Sequence, residues 1–149
     1  MRIEDEIKQK QFKSEYEKLL INLIFTSNWL SVLQQRFFKS FGITPQQYNV
    51  LRILRGQNPK PASVGMVQER MLDKSSNITR LVDKLIEKNL VTRCENPENR
   101  RMQELRITEK GLLFLEEISS NANNGLEPFQ KLNLEEAQLF NDMLDRIRG

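Results

Sequence analysis

Residues 78–111, ITRLVDKLIEKNLVTRCENPENRRMQELRITEKG, change their hydrophobic period twice. Ile78, Leu81, Val82, Leu85 and Ile86 recur at the i, i+3, i+4 spacing that commits one face of a helix to a core. After Asn89 apolar and polar residues alternate. LVTRCE and MQELRI therefore read as two strands joined by the NPENRR turn, a hairpin. Thr108 then caps a further helix that runs to about Ser120. Two adjacent arginines, Arg100 and Arg101, stand at the hairpin tip, where a charged pair stabilises nothing inside a fold.

Upstream, Asp73 is placed to cap the first of these helices, which predicts a span of 74–89, KSSNITRLVDKLIEKN. With its apolar side committed, this helix presents Ser75, Ser76, Asn77, Thr79, Arg80 and Lys84. Short hydroxyl and amide side chains near a helix N-terminus suit base edges and phosphates, and Ser-Ser-Asn is otherwise a poor helix-forming choice. Before it, Thr44-Pro45-Gln46-Gln47 reads as an N-cap, a first-turn proline and a glutamine reaching back. That helix extends to Arg55 with Tyr48, Leu51 and Leu54 facing in, and Gly56 stops it. QNPKPAS is a loop, and Ser63 opens a short helix with Val64, Val67 and Met71 on one side.

The ends of the chain are predicted helical. No Gly or Pro occurs from Ile3 to Phe41, which permits one long helix that Gly42 ends. One apolar stripe runs Tyr16, Leu19, Leu20, Leu23, Ile24, Leu30, Leu33, Phe37 and Phe38, and a second runs Ile21, Phe25, Trp29 and Val32. A helix with two apolar flanks fits a homodimer, one flank packing on its own chain and the other on a partner. The alternative is that both stripes pack within one subunit. The Asn-rich segment SNANNG interrupts or ends the helix that Thr108 opens. Asn133 and Glu136 form a capping box for a last helix, predicted to bury Ala137, Phe140, Leu144 and Ile147.

At 149 residues, with 38% hydrophobic and 29% charged side chains, the chain fits one rather polar domain. No apolar run approaches the ~20 residues needed to cross a bilayer. The start, MRIEDEIKQKQFKSEYEK, has no signal-peptide core, so a cytoplasmic location is expected. Cys94 is the only cysteine, which rules out an internal disulfide. With no histidine, the chain lacks the usual ligands for zinc and related metals and the commonest general base. No phosphate-cradling glycine loop or dinucleotide fingerprint is found, so neither a cofactor nor an enzyme is expected. Acid pairs such as Glu116-Glu117 read as solvated helix faces. The net charge of +3 is only mildly basic.

Helix, short helix, polar-faced helix and two-stranded hairpin, in that order, make a winged helix-turn-helix. The fold expected is mainly α with a small β-hairpin wing. Residues 78–111 closely resemble the signature of MarR-type bacterial regulators: a recognition helix ending in a Leu-x-x-x-Gly-Leu-Val turn, a wing with Asp-Arg-Arg, and Leu-Thr-x-x-Gly opening the next helix. The resemblance extends over nearly the whole chain. It implies a single 1–149 domain: a 44–107 winged helix-turn-helix DNA-binding core, with 3–41 and 109–148 mainly dimerisation helices. It also implies a homodimer on double-stranded DNA with a pseudo-palindromic operator, acting as a repressor that a small-molecule effector releases. The wing residues Asn99, Arg100 and Arg101 would touch DNA beside the recognition helix. Effector candidates in the crevice between the dimer helices and the DNA-reading lobe are Phe25, Trp29, Tyr48 and Met66.

Two positions depart from the family pattern. Asn89 replaces glycine but tolerates the left-handed conformation that the helix stop demands. Asn99 replaces the wing aspartate; it can accept a hydrogen bond in the turn but carries no charge to pair with an arginine. Peroxide sensors of the family carry their cysteine on the first helix, where this chain has none, so Cys94 reads as a small packed residue. The competing reading is a winged-helix protein–protein module without specific DNA binding.

Overall fold

The computed structural model describes residues 1–121 and 125–149. Their elements are α1 (Ile3–Glu6), α2 (Glu15–Lys39), α3 (Pro45–Gln57), β1 (Ala62–Ser63), α4 (Val64–Arg70), α5 (Ile78–Glu87), β2 (Val91–Glu95), β3 (Gln103–Ile107), α6 (Glu109–Ser120), a 3₁₀ turn (Glu127–Lys131) and α7 (Leu134–Arg148). The mainly α, winged-helix fold class is thus observed. Two compact units are present, Met1–Arg36 and Phe37–Gly149. No described helix is long and apolar enough to cross a membrane.

In the first unit, the single helix expected from Ile3 onward is broken. α1 stops at Glu6 and Lys8 turns left-handed at φ 55°. α2 restarts only after Ser14, whose Oγ accepts from Glu17 N at 3.1 Å while the Glu17 carboxylate accepts from Lys13 N at 2.6 Å. That reciprocal cap marks a helix start inside a polar stretch, which a Gly/Pro search cannot register. Lys18 Nζ lies 2.7 Å from Glu4 Oε1 and holds that carboxyl below its ordinary pKa. Of all α2 residues only Phe38 is buried. Leu19, Leu20, Ile24, Trp29 and Val32 are exposed, Leu20 at 58%.

The second unit holds the core. Val50, Leu51, Leu54, Val67, Met71, Ile78, Val82, Leu85, Leu90, Val91, Leu105 and Leu115 form one buried cluster. Each large side chain fully buried there contributes ~1.5–3 kcal/mol. A smaller cluster gathers Phe38, Ile43 and Ile118 with Phe37, Phe41, Tyr48 and Phe114. α2 ends at Lys39, and the stop expected at Gly42 is a turn through 40–42 that closes on that glycine at φ 73°. α3 has the predicted capping box: Gln47 N donates to Thr44 Oγ1 at 3.1 Å and Thr44 N to Gln47 Oε1 at 2.9 Å. The cap also explains how a glutamine comes to be buried, since its carbonyl serves the backbone. Gly56 does not stop this helix, which runs one residue further to Gln57. Asn58 precedes Pro59, and a residue before proline avoids the helical region.

The hairpin pairs Val91 with Ile107 and Cys94 with Glu104 in antiparallel register. A third strand, β1, pairs Ala62 with Leu105 on the other edge of β3. Two residues carry too little alternation to announce a strand, so in sequence they read as loop. Ser63 does open α4, accepting from Met66 N at 3.1 Å.

α5 and α6 meet at a tight joint. Asn89 is left-handed at φ 59°, as the departure from glycine required. Thr108 Oγ1 donates to Asn89 O at 2.7 Å and accepts from Gly111 N at 3.0 Å, so one hydroxyl ties two helices. A Cβ on Gly111 would stand 2.5 Å from Leu90 O and 2.7 Å from Ile107 Cγ1. α6 ends at Ser120; residues 122–124 of the SNANNG segment lie outside the described residues. α7 has its Asn133–Glu136 capping box. Its predicted burial does not occur, however: Phe140 is 45% and Ile147 58% exposed, while Ala137 and Leu144 are half-buried. The apolar stripe is present, but no described part of the same chain covers it fully.

Two glycine substitutions separate these environments. Gly111→Ala should destabilise the protein by about 1–3 kcal/mol through overpacking against Leu90 and Ile107. Gly56→Ala, in open space within α3, should stabilise it by about 0.5–1 kcal/mol. Urea denaturation midpoints measured on both variants check the contrast.

Candidate nucleic-acid interface

The polar-faced helix begins later than its sequence implied. α5 starts at Ile78, and its N-cap is Asn77, whose Oδ1 accepts from Arg80 N at 3.1 Å. Asp73 instead closes a local turn, accepting from Ser75 N at 3.0 Å and from Ser75 Oγ at 2.6 Å. Ser76 Oγ is shut away from solvent and has no hydrogen-bond partner among the described residues. Short polar side chains satisfy nearby backbone in preference to extending a helix, which is why 74–77 form the approach to α5 rather than its first turn. Of the six predicted recognition residues, Ser75, Ser76 and Asn77 therefore serve this approach. Thr79, Arg80 and Lys84 lie on the exposed side of the helix proper.

Charges along that side are unequally committed. Lys84 Nζ is 3.1 Å from Glu87 Oε2. Asp83 pairs with Arg93 of β2. Among the described residues, the Arg80 side chain forms no hydrogen bond or ion pair. An open cleft of about 520 Å³ runs between the start of α3 and α5. Thr44 and Gln46 line one side, and Ser75, Ser76, Asn77, Arg80 and Lys84 the other. The structure thus brings five of the predicted residues to one concavity.

The wing turn is built by two asparagines. Asn96 Oδ1 accepts from Glu98 N at 2.8 Å and from Asn99 N at 3.0 Å, and its Nδ2 donates to Glu104 Oε1 at 2.9 Å. Asn99 Oδ1 accepts from Arg101 N at 3.1 Å, the turn bond anticipated for the residue that replaces aspartate. Arg100 and Arg101 are exposed, and among the described residues neither side chain has a hydrogen bond or ion pair. By contrast Arg106 donates to Pro59 O at 2.6 Å.

The predicted effector residues occupy ordinary packing positions where they are not open. Phe25 is half-buried and Trp29 exposed on α2. Tyr48 stacks 4.4 Å from the Phe38 ring and accepts a hydrogen bond from Arg52 at 3.1 Å. Met66 is packed against the main core. None of the four lines the α3–α5 cleft. Cys94, expected to be packed, is exposed instead, because β2 turns Val91 and Arg93 inward and Cys94 outward across from Glu104.

Sequence reading missed three contributors. Asn96 organises the turn, and its only signal was the general preference for asparagine there. Lys110 Nζ donates to Lys88 O at 3.1 Å at the end of α5, where a cation complements the helix dipole. Asn49 Oδ1 accepts from Leu72 N at 2.9 Å across 23 residues, an interaction with no local signature.

A family model described as the MarR family matches residues 41–102. The chain is 33% identical over 107 residues to the HTH-type transcriptional regulator MhqR of Bacillus subtilis, covering 71% of this chain and 72% of that protein. It is also similar to the crystal structure of a MarR transcription factor from Planctomyces limnophilus, at 28% identity and TM-score 0.70, covering 93% and 98% of the two chains. Its fold matches that of a mutant MarR from E. coli complexed with operator DNA, at TM-score 0.74 and 19% identity, covering 93% and 99%.

The local roles of Asn77 and Ser75 carry two measurable consequences. Asn77→Ala should cost about 1 kcal/mol of stability by uncapping α5, read from thermal unfolding. Ser75 holds the Asp73 carboxyl below its ordinary value through two donated hydrogen bonds. A depressed folded pKa stabilises the turn above the unfolded value of about 3.9 and is lost as pH falls through the folded one. The Ser75 amide shift, followed by NMR, should therefore titrate with a midpoint below that of a free aspartate.

Proposed function

The chain belongs to the MarR family of transcriptional regulators, and we propose that it binds specific double-stranded DNA as a homodimer and represses transcription until a small molecule releases it. The observation that carries this reading is the set of uncommitted guanidinium groups. Arg80 on α5 and Arg100 and Arg101 on the wing have no partner among the described residues, while Arg93 and Arg106 of the same lobe do. Guanidinium meets phosphate oxygens with two parallel hydrogen bonds and suits the negative potential of a narrow minor groove.

In this reading α5 enters the major groove, with Thr79 and Arg80 at base edges and Lys84 nearer the backbone. The Ser75–Asn77 approach lies against phosphate, and the wing lies beside it with Asn99 shaping the tip. Residues 44–107 are the DNA-reading core, and 3–41 and 109–148 chiefly pair the subunits. The open apolar faces of α2 and α7 support pairing, because contiguous exposed apolar surface finds a partner in water. Two half-sites about 10 bp apart would follow from two recognition helices on one face of the duplex. The effector is assigned to Phe25, Trp29, Tyr48 and Met66 on the family resemblance alone. A protein–protein module has no need of arginines left free on helix and wing.

Salt-dependent binding to duplexes that the protein selects from a randomised pool tests the proposal. Arg100→Ala and Arg101→Ala should weaken binding to every duplex, and the log–log salt slope should fall by about 0.9 for each phosphate no longer neutralised. Thr79→Ala should instead cost ~1–3 kcal/mol at particular base pairs. A protein that selects no duplex, or one that sediments as single subunits while fully occupying its site, overturns the reading.

A further inference from the structure

The pair between Asp83 and Arg93 joins the outer face of α5 to the wing. Among the described residues it is the one side-chain hydrogen bond between that helix and the hairpin strands. Its placement is unusual in electrostatic terms. Asp83 follows Thr79 by one helical turn and so puts a carboxylate on the face offered to a polyanion. Arg93 occupies an inward position of β2, after buried Val91 and across from buried Leu105. Its side chain is only 24% exposed and its Nε is buried without an acceptor. A chain that wanted merely to add positive charge to its DNA face would leave this guanidinium free and omit the carboxylate.

We propose that Asp83 and Arg93 are positioning residues: their ion pair is a strut that sets the wing relative to the recognition helix and so places Arg100 and Arg101. The inference rests on the DNA-binding reading above. The hairpin root is fixed in the core by Val91 paired with Ile107, and apolar cover on β2 ends there, while on β3 it reaches Leu105 across from Arg93. Beyond the root the inward face of β2 continues as Arg93 and then exposed Glu95. Arg101 stands four residues before Leu105, the strand partner of Arg93, so the tip lies up to ~13 Å beyond the strut at ~3.3 Å per residue. A swing of roughly 5° about the strut therefore moves the tip by about 1 Å, enough to spoil a bidentate hydrogen bond whose length tolerance is a few tenths of an ångström. The wing turn has its own hydrogen bonds but none to α5, so its internal order does not fix its aim.

The sign of one substitution separates the strut from simple electrostatics. Asp83→Asn deletes a negative charge from the DNA-facing helix, which by Coulomb attraction alone tightens binding. Loss of the strut weakens it, by about five- to tenfold, on a duplex that the full-length parent has selected from a randomised pool. In an Arg100→Ala/Arg101→Ala background there is no tip guanidinium to place, and Asp83→Asn should then cause no loss. Asp83→Arg combined with Arg93→Asp should regain most of the parent affinity, which also shows that the single variant has not merely failed to fold. Tighter or unchanged binding by Asp83→Asn, or the same loss in both backgrounds, overturns the strut. If Arg100→Ala/Arg101→Ala weakens binding while Asp83→Asn does not, only this inference fails. A parent that selects no duplex removes the DNA-binding reading and the strut with it.

Discussion

The close approach of α6 to the end of α5 is the constraint from which the winged-helix lobe is built. Asn89 turns left-handed, Leu90 follows, and the first turn of α6 packs so near that Gly111 has no room for a Cβ beside the Leu90 carbonyl. Thr108 makes the approach polar-compatible, since one hydroxyl donates to Asn89 O and accepts from Gly111 N. Backbone groups freed at a helix end must find partners when buried. Here the end of one helix and the start of the next satisfy each other. Because β2 leaves and β3 returns at this joint, α5 and the root of the wing share one anchor.

Outward from the anchor, the lobe divides its polar side chains into two classes. Asparagine, serine and threonine at turns and caps serve the backbone: Thr44, Ser63, Asn77, Asn96, Asn99 and Thr108 each accept from a main-chain N–H. These bonds order the approach to α5 and the wing tip without apolar cover. Among the described residues, Lys84, Arg93 and Arg106 are paired within the lobe, while the side chains of Arg80, Arg100 and Arg101 form no hydrogen bond or ion pair. An exposed ion pair is worth little to stability, so the paired groups make better sense as devices of placement and the free ones as groups that reach a partner.

The apolar residues outside this lobe follow another logic. α2 buries only Phe38 and α7 buries nothing, although both carry regular hydrophobic stripes. At ~25 cal/mol per Å² of apolar surface removed from water, leaving such stripes open forgoes a large stabilisation. This is the physical basis for reading both termini as surfaces for a second copy.

Much of the fold was legible in linear order. Thr44 with Gln47, Asn133 with Glu136 and the apolar period of 78–86 specified helices, because caps and 3.6-residue periodicity act over a few neighbouring positions. The alternation after Asn89 specified the hairpin, and the adjacent arginines marked its tip. Where linear reading failed, the deciding partner was distant or the local signal ambiguous. Asp73 looks like a helix cap until Asn77 is seen to hold that role. Ala62 and Ser63 become a strand only because β3 lies beside them. The burial of α7 was inferred from its stripe, but a stripe says only that a face is apolar, and what covers it depends on the assembled chain. Asp83 and Arg93 read as unrelated surface charges ten residues apart; only the packing of β2 against α5 makes them a pair. Periodicity and capping are written into neighbouring residues, whereas contact between elements is settled by how those elements stack.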